Sequence, residues 1–198
     1  MVNTYAYDDE LLKNNTIFLQ GEINEQSVGA AIKKLLCCHS EFEKGFVPRE
    51  KRVVRLVINS MGGEVRAGLV LLSFLKTIPV KIKTVCLNAA SMAAVIAACG
   101  AAKGERFIVC DGSVMIHQPS TGVSGTITDA QIALAEGVKL KAKLTALLTA
   151  STSQPLHVIE ENTSRDSWFT PAEAVKFGLV DTVISDQELF KEVFKYDV

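Results

Sequence analysis

Apolar and polar positions along this 198-residue chain alternate between strand-like and helix-like stretches. Residues 16–19 (TIFL) form a short β-branched and aromatic run that ends near Gly21. Asn24 is then placed to cap a helix running to about residue 38, with Val28, Ile32, Leu35 and Leu36 on one face. Residues 39–52 are charged, carry Gly45 and Pro48, and read as a long surface loop. The β-branched run 53–58 predicts a strand stopping at Asn59, followed by a helix over about 65–76. A further strand spans 80–86, and residues 89–102, Ala-rich and apolar nearly all round, predict a buried helix. Residues 107–109 and 113–117 predict two more short strands, and Gly122, Gly125 and Ile127 an extended arm. Capping boxes then open three helices: Thr128 with Gln131, Thr170 with Glu173, and Ser185 with Glu188. The first should reach about Ala150; the second has Pro171 in its first turn and Gly178 just past its end. Strands alternating with helices predict an α/β fold with largely parallel pairing.

Composition narrows the classes. The length suits one domain over residues 1–198, and 48% hydrophobic with 22% charged residues excludes a disordered chain. A formal charge of −1 lacks the basic excess that a nucleic-acid or acidic-membrane partner requires. The longest apolar run, 92–102, falls well short of the roughly 20 residues of a membrane helix. The amino end shows neither a basic start nor an apolar stretch, so no secretory signal is expected. The five cysteines (Cys37, Cys38, Cys86, Cys99, Cys110) show no C-x-x-C spacing, and three sit in apolar runs. They suggest a reducing, cytoplasmic home and neither a disulfide framework nor a zinc ribbon.

Phosphate-loop, dinucleotide-loop, H-E-x-x-H and G-x-S-x-G motifs are all absent from the sequence. Two segments stand out. Asn59-Ser-Met-Gly-Gly63 puts two glycines directly after a strand. They read either as a tight turn or as bare N–H groups that a ligand carbonyl can approach. In Ala89-Ala-Ser-Met-Ala-Ala94 a single hydroxyl opens an apolar helix. Ser91 there is either a cap bonding to the neighbouring turn or a nucleophile at the positive end of a helix dipole. A nucleophilic serine needs a base, and the chain has His39, His117 and His157. His39 and His157 lie in polar stretches and read as solvated. His117 ends an apolar strand, where it is either a core histidine or the base. Asp166 is either a surface carboxylate or the group that orients the imidazole.

Taken together, Ile58-Asn-Ser-Met-Gly-Gly63, Ala89-Ala-Ser-Met-Ala93, Val114-Met-Ile-His-Gln-Pro-Ser120, Thr163-Ser-Arg-Asp166, Ala172-Glu-Ala174 and Gly178-Leu-Val-Asp181 resemble the proteolytic subunit of the Clp protease, the ClpP family. The resemblance runs from about Tyr5 to Ile184. It implies a ClpP/crotonase-like fold of repeated strand-helix units with a protruding handle, arm plus helix, over 118–150. It also implies a serine endopeptidase with Ser91 as nucleophile, His117 as base and Asp166 as its orienting carboxylate. The backbone N–H groups of Gly63 and Met92 would form the oxyanion hole. Gly62, Glu64, Val65, Gln118, Pro119 and Ser120 would clamp an unfolded polypeptide as an added strand. The family implies a homo-oligomer of two stacked heptameric rings, joined through Asp129 and Arg165, and fed by an ATP-dependent AAA+ unfoldase. Cleavage itself would need no metal and no nucleotide.

Departures from the family pattern are Met61 for the usual Pro, Leu87-Asn88 before Ala-Ala-Ser, Thr126 and Ser164 at the ring contact, and Gly137 inside the handle helix. Arg55 falls on a strand that usually helps form an apolar unfoldase dock, residues 39–52 look inserted, and the amino end starts past the family's axial loop. These keep a second expectation in view, a non-catalytic or weakly active ring subunit assembling with a ClpP paralogue. A third, a crotonase-type acyl-CoA enzyme, would leave the Ser, His and Asp set without a task.

Overall fold

The computed structural model describes residues 11, 12, 14–120, 122 and 125–194. Among these, six strands form one sheet. β1 (Thr16–Ile23), β2 (Val53–Gly63), β3 (Lys81–Ala90), β4 (Arg106–Ile116) and β5 (Ser167–Phe169) lie side by side in that order, and β6 (Thr182–Ile184) pairs with β4. Only β5 runs antiparallel to its neighbour. Parallel neighbours need crossovers, and these are α1 (Glu25–Lys44), α2 (Val65–Thr77) and α3 (Met92–Cys99). The alternating α/β architecture expected from the pattern is therefore present. Beyond β4 come α4 (Ile127–Thr152), α5 (Leu156–Thr163), α6 (Pro171–Phe177) and α7 (Asp186–Phe194).

Period-two alternation sorts β2 between two faces. Val54, Leu56 and Ile58 join the main core beneath the helices, while Val57 packs with Val85 and Ile184 on the other face. All eight residues of α3 are buried, as its all-round apolarity predicts. The ladders shift register at the same level on three neighbouring strands: between Gln20 and Glu22, between Ile58 and Asn59, and between Cys86 and Asn88. Such irregularities bend and twist the strands. The carboxyl-terminal ends of β2, β3 and β4 beyond this line carry the candidate site.

Several elements differ from the sequence expectation. Residues 39–44 are helix, because Leu35, Cys38 and Phe42 prolong a buried stripe that began at Val28 and Ala31. That stripe leaves Leu36 48% exposed, so the core-facing side is rotated from the predicted one. His39 consequently lies on the helix half-buried, with its Nδ1 out of water, and is not solvated. β2 continues through Asn59 to Gly63, because those residues pair with β1 on one side and, at Asn59 and Ser60, with β3 on the other. β3 likewise reaches Ala90, and the helix expected from residue 89 begins at Met92. The two strands expected at 107–109 and 113–117 are one strand, whose halves pair with β6 and β5 respectively. The first capping box of α4 is Thr126 with Asp129, not Thr128 with Gln131, so the helix starts one residue later than Thr126 and runs to Thr152. Of the arm, residues 121, 123 and 124 lie outside the described residues, as does the chain before Leu11. The boxes at Thr170 and Ser185 hold.

Candidate active site

Ser91 sits between β3 and α3 with φ 52 and ψ −124, a backbone region that non-glycine residues rarely occupy. Neighbours hold it there: its N–H donates to the Met115 carbonyl of β4 at 3.0 Å, and its carbonyl accepts from Val95 at 3.3 Å. Strain of this kind persists where surrounding structure over-determines it, commonly at working sites. The side chain makes no capping bond to α3. Ser91 thus holds the N-cap position without a side-chain capping bond, and its hydroxyl is available to the cavity it lines. Met92 opens the helix, so its N–H is one of those with no acceptor inside α3.

The glycine pair is no tight turn either. Gly62 has φ 96, and a Cβ there would stand 2.6 Å from the Ser91 Cβ and 2.8 Å from the Ala90 carbonyl. Gly63 has φ 145, and its Cβ would stand 2.4 Å from the Ile23 carbonyl. Both positions thus require the missing side chain, one to seat Ser91 and the other to seat β1. Gly62→Ala should displace Ser91 and the Met92 amide together. We expect at least a hundredfold slower labelling of the Ser91 hydroxyl by a fluorophosphonate, with the chain still folded by circular dichroism; misplacing reacting groups by about 1 Å costs this much.

His117 and Asp166 meet through strand register. β5 pairs antiparallel with the end of β4, with Ile116 opposite Ser167. One step further along this ladder, His117 faces Asp166, and Nδ1 lies 3.2 Å from Oδ1. The Gln118 N–H donates to the Thr163 carbonyl at 2.6 Å and its side chain to the Ser164 carbonyl at 3.1 Å, clamping the strand exit to the end of α5. His117 is 28% exposed and Asp166 62%. Among the described residues, no hydrogen bond joins the Ser91 hydroxyl to the ring; such contacts are often long before substrate binds.

Ser91 and His117 line one cavity of about 660 Å³, which also takes in Gly63, Glu64, Val65, Met92, Pro119 and Ser120. Gly62 lies beneath Ser91 and opens instead on a separate crevice with Met61, and Gln118 turns away toward Ser164. Asp129 spends its carboxylate on the Thr126 backbone and hydroxyl; these bonds draw its pKa below the ordinary value. Arg165 is exposed. Sequence reasoning missed the far wall of the cavity, formed by Val95 and by Ala133, Glu136, Gly137, Leu140 and Leu144 of α4. Their spacing of three and four is a helix face that could have been read from the sequence alone. A separate cavity of about 440 Å³ beside Trp168 holds Ser167, Glu173 and Lys176 but no histidine, so it lacks a serine-base pair.

A family model described as Clp protease matches residues 2–187. The chain belongs to the Clp protease family. A Clp protease has the ClpP/crotonase-like fold, and the mixed sheet and helices above accord with it. Membership supports a ClpP-type peptidase, a hydrolase of a family known to assemble into rings. Among the described residues, no helix is long and apolar enough to cross a membrane.

Proposed function

We propose that this chain is a serine endopeptidase in which Ser91 attacks the scissile carbonyl, His117 takes the hydroxyl proton and returns it to the leaving amine, and Asp166 holds the imidazole. The observation that carries this reading is the shared cavity of Ser91 and His117, with Asp166 on the ring's opposite nitrogen. With Asp166 at Nδ1, Nε2 is left to serve the serine, the division of labour a triad needs. The Met92 amide at the head of α3 and the Gly63 amide would receive the oxyanion. Glu64, Val65, Pro119 and Ser120 on the cavity margin would grip the substrate's main chain, with Gly62 and Gln118 supporting from behind.

The handle, 118–150 within a single domain of residues 1–198, would join two stacked heptameric rings. The buried residues of α4 begin only at Leu144, while Ile127, Ile132, Leu134 and Val138 stand 59% to 81% exposed, which suits a helix covered by another copy. Asp129 and Arg165 would then act at that contact. An AAA+ unfoldase would thread unfolded polypeptides into the chamber. Five free cysteines suit a cytoplasmic setting. A second reading, a weakly active ring subunit working beside a ClpP paralogue, draws on the absent Ser91 to His117 hydrogen bond. Labelling by a fluorophosphonate separates the two. Mass spectrometry should find the adduct on Ser91 of the protein alone; its absence there, with labelling restored by a paralogue, would favour the second reading.

A further inference from the structure

β2 parts from one neighbour before the other. Its last pair with β3 is Ser60 with Ala89, while Gly62 and Gly63 still pair with β1. From Met61 onward one edge of the strand is therefore open, and Gly63, Glu64 and Val65 line the cavity that holds Ser91 and His117. The Glu64 N–H donates to the Ile23 carbonyl of β1 at 2.7 Å. Backbone groups along a strand alternate in direction, so the N–H and C=O of Gly63 face the open edge. Charge around the cavity is unevenly satisfied. Arg66 Nη2 reaches Glu136 Oε2 at 3.0 Å, Lys139 reaches the other oxygen at 2.6 Å, and His117 faces Asp166. Glu64 is the exception: it is exposed, its side chain makes no capping bond to α2, and among the described residues its carboxylate has no ionic partner.

Resting on the serine-peptidase reading, we propose that Glu64 selects a lysine or arginine at the substrate residue immediately before the one whose carbonyl Ser91 attacks. An added strand pairs slightly more stably when antiparallel. With the attacked residue beside Gly63, that sense sets residue 64 opposite its predecessor, with Cβ atoms about 5 Å apart. A long basic side chain there meets a carboxylate that no cation of the protein already neutralises, whereas an acidic one meets a like charge. Because Glu64 is exposed, the preference should be moderate and salt-sensitive.

The test reads binding without turnover. Three peptides with free carboxylates, identical but for endings Lys-Leu, Gln-Leu or Glu-Leu, are titrated calorimetrically into the Ser91→Ala protein. The Lys peptide should bind about three- to fivefold tighter than the Gln peptide, the scale of an exposed ion pair, and about tenfold tighter than the Glu peptide. Salt at about 1 M, where the Debye length is about 3 Å, should erase most of the difference. Adding Glu64→Gln should level the three affinities and Glu64→Lys should reverse their order, with circular dichroism matching the parent. Equal affinities, no binding of any peptide, or a Lys preference that survives Glu64→Gln would overturn the assignment. A Lys preference that follows residue 64 in a protein whose Ser91 never takes up a fluorophosphonate would overturn only the catalytic reading.

Discussion

Ser91→Ala is expected to lower peptide turnover by on the order of 10⁴ to 10⁶ while leaving the melting temperature nearly unchanged. The two halves of that result have separate causes. The hydroxyl makes no capping bond, so its loss should cost the fold little. On the proposed reading its loss removes the attacking hydroxyl, which lines the cavity at the head of α3 beside the Met92 amide. His117→Ala should cost a similar factor, and the double variant little more than either, because the members of a triad fail as a unit. Turnover of a short fluorogenic peptide by purified protein is the measurement. Residual cleavage within tenfold of the parent in Ser91→Ala would place the chemistry elsewhere.

Asp181→Asn is expected to destabilise the fold by roughly 3 to 5 kcal/mol, the usual cost of leaving a buried ion without its partner. Arg106 has a side chain only 2% exposed, and its guanidinium binds Asp181 through two nitrogens. The same group donates to the Ala98 carbonyl at 3.1 Å, the Gly178 carbonyl at 2.9 Å and the Ser151 hydroxyl at 3.0 Å. One cation thus ties the ends of α3, α4 and α6 to β4. Burial alone would push the Asp181 carboxyl up, but Arg106 and the N–H groups of Gly104 and Arg106 outweigh it and hold the pKa below the ordinary 3.8. A pKa lowered by folding adds stability that is whole above the unfolded value and drains away as pH falls through the folded one. The difference between parent and variant should therefore be full at neutral pH and shrink below about pH 4. Thermal melts across that range test it, with a fall of about 10 °C expected at pH 7. Equal melting temperatures at pH 7 would show the pair to be dispensable. A double replacement, Arg106→Met with Asp181→Leu, should recover part of the loss, since a packed apolar pair can stand in for a buried salt bridge.

This second result gives a physical role to Gly178-Leu-Val-Asp181, one of the segments that carried the family resemblance. It lies away from the cavity and serves the scaffold. The role was not readable from the sequence, because Arg106 and Asp181 are 75 residues apart and each looks like an ordinary surface charge. The loop expected at 39–52 begins only at Gly45, for a related reason. Charged residues there fill the solvent face of α1, and only packing shows that Cys38 and Phe42 continue its buried stripe.

By itself the sequence determined the alternation of strands and helices, the buried character of α3, the caps at Asn24 and Thr170, and three widely spaced residues of the right chemistry. Those properties are local: apolar period, turn residues and capping hydroxyls act within a few positions of the chain. Tertiary structure alone decided the rest. The three-residue strand β5, too short to announce itself, sets the register that puts Asp166 against His117. A missing Cβ on one strand makes room for Ser91 on the next, and the face of a helix some 40 residues further along closes the cavity. Each depends on the close approach of segments distant in the chain, which pairing and packing fix and which no local propensity encodes.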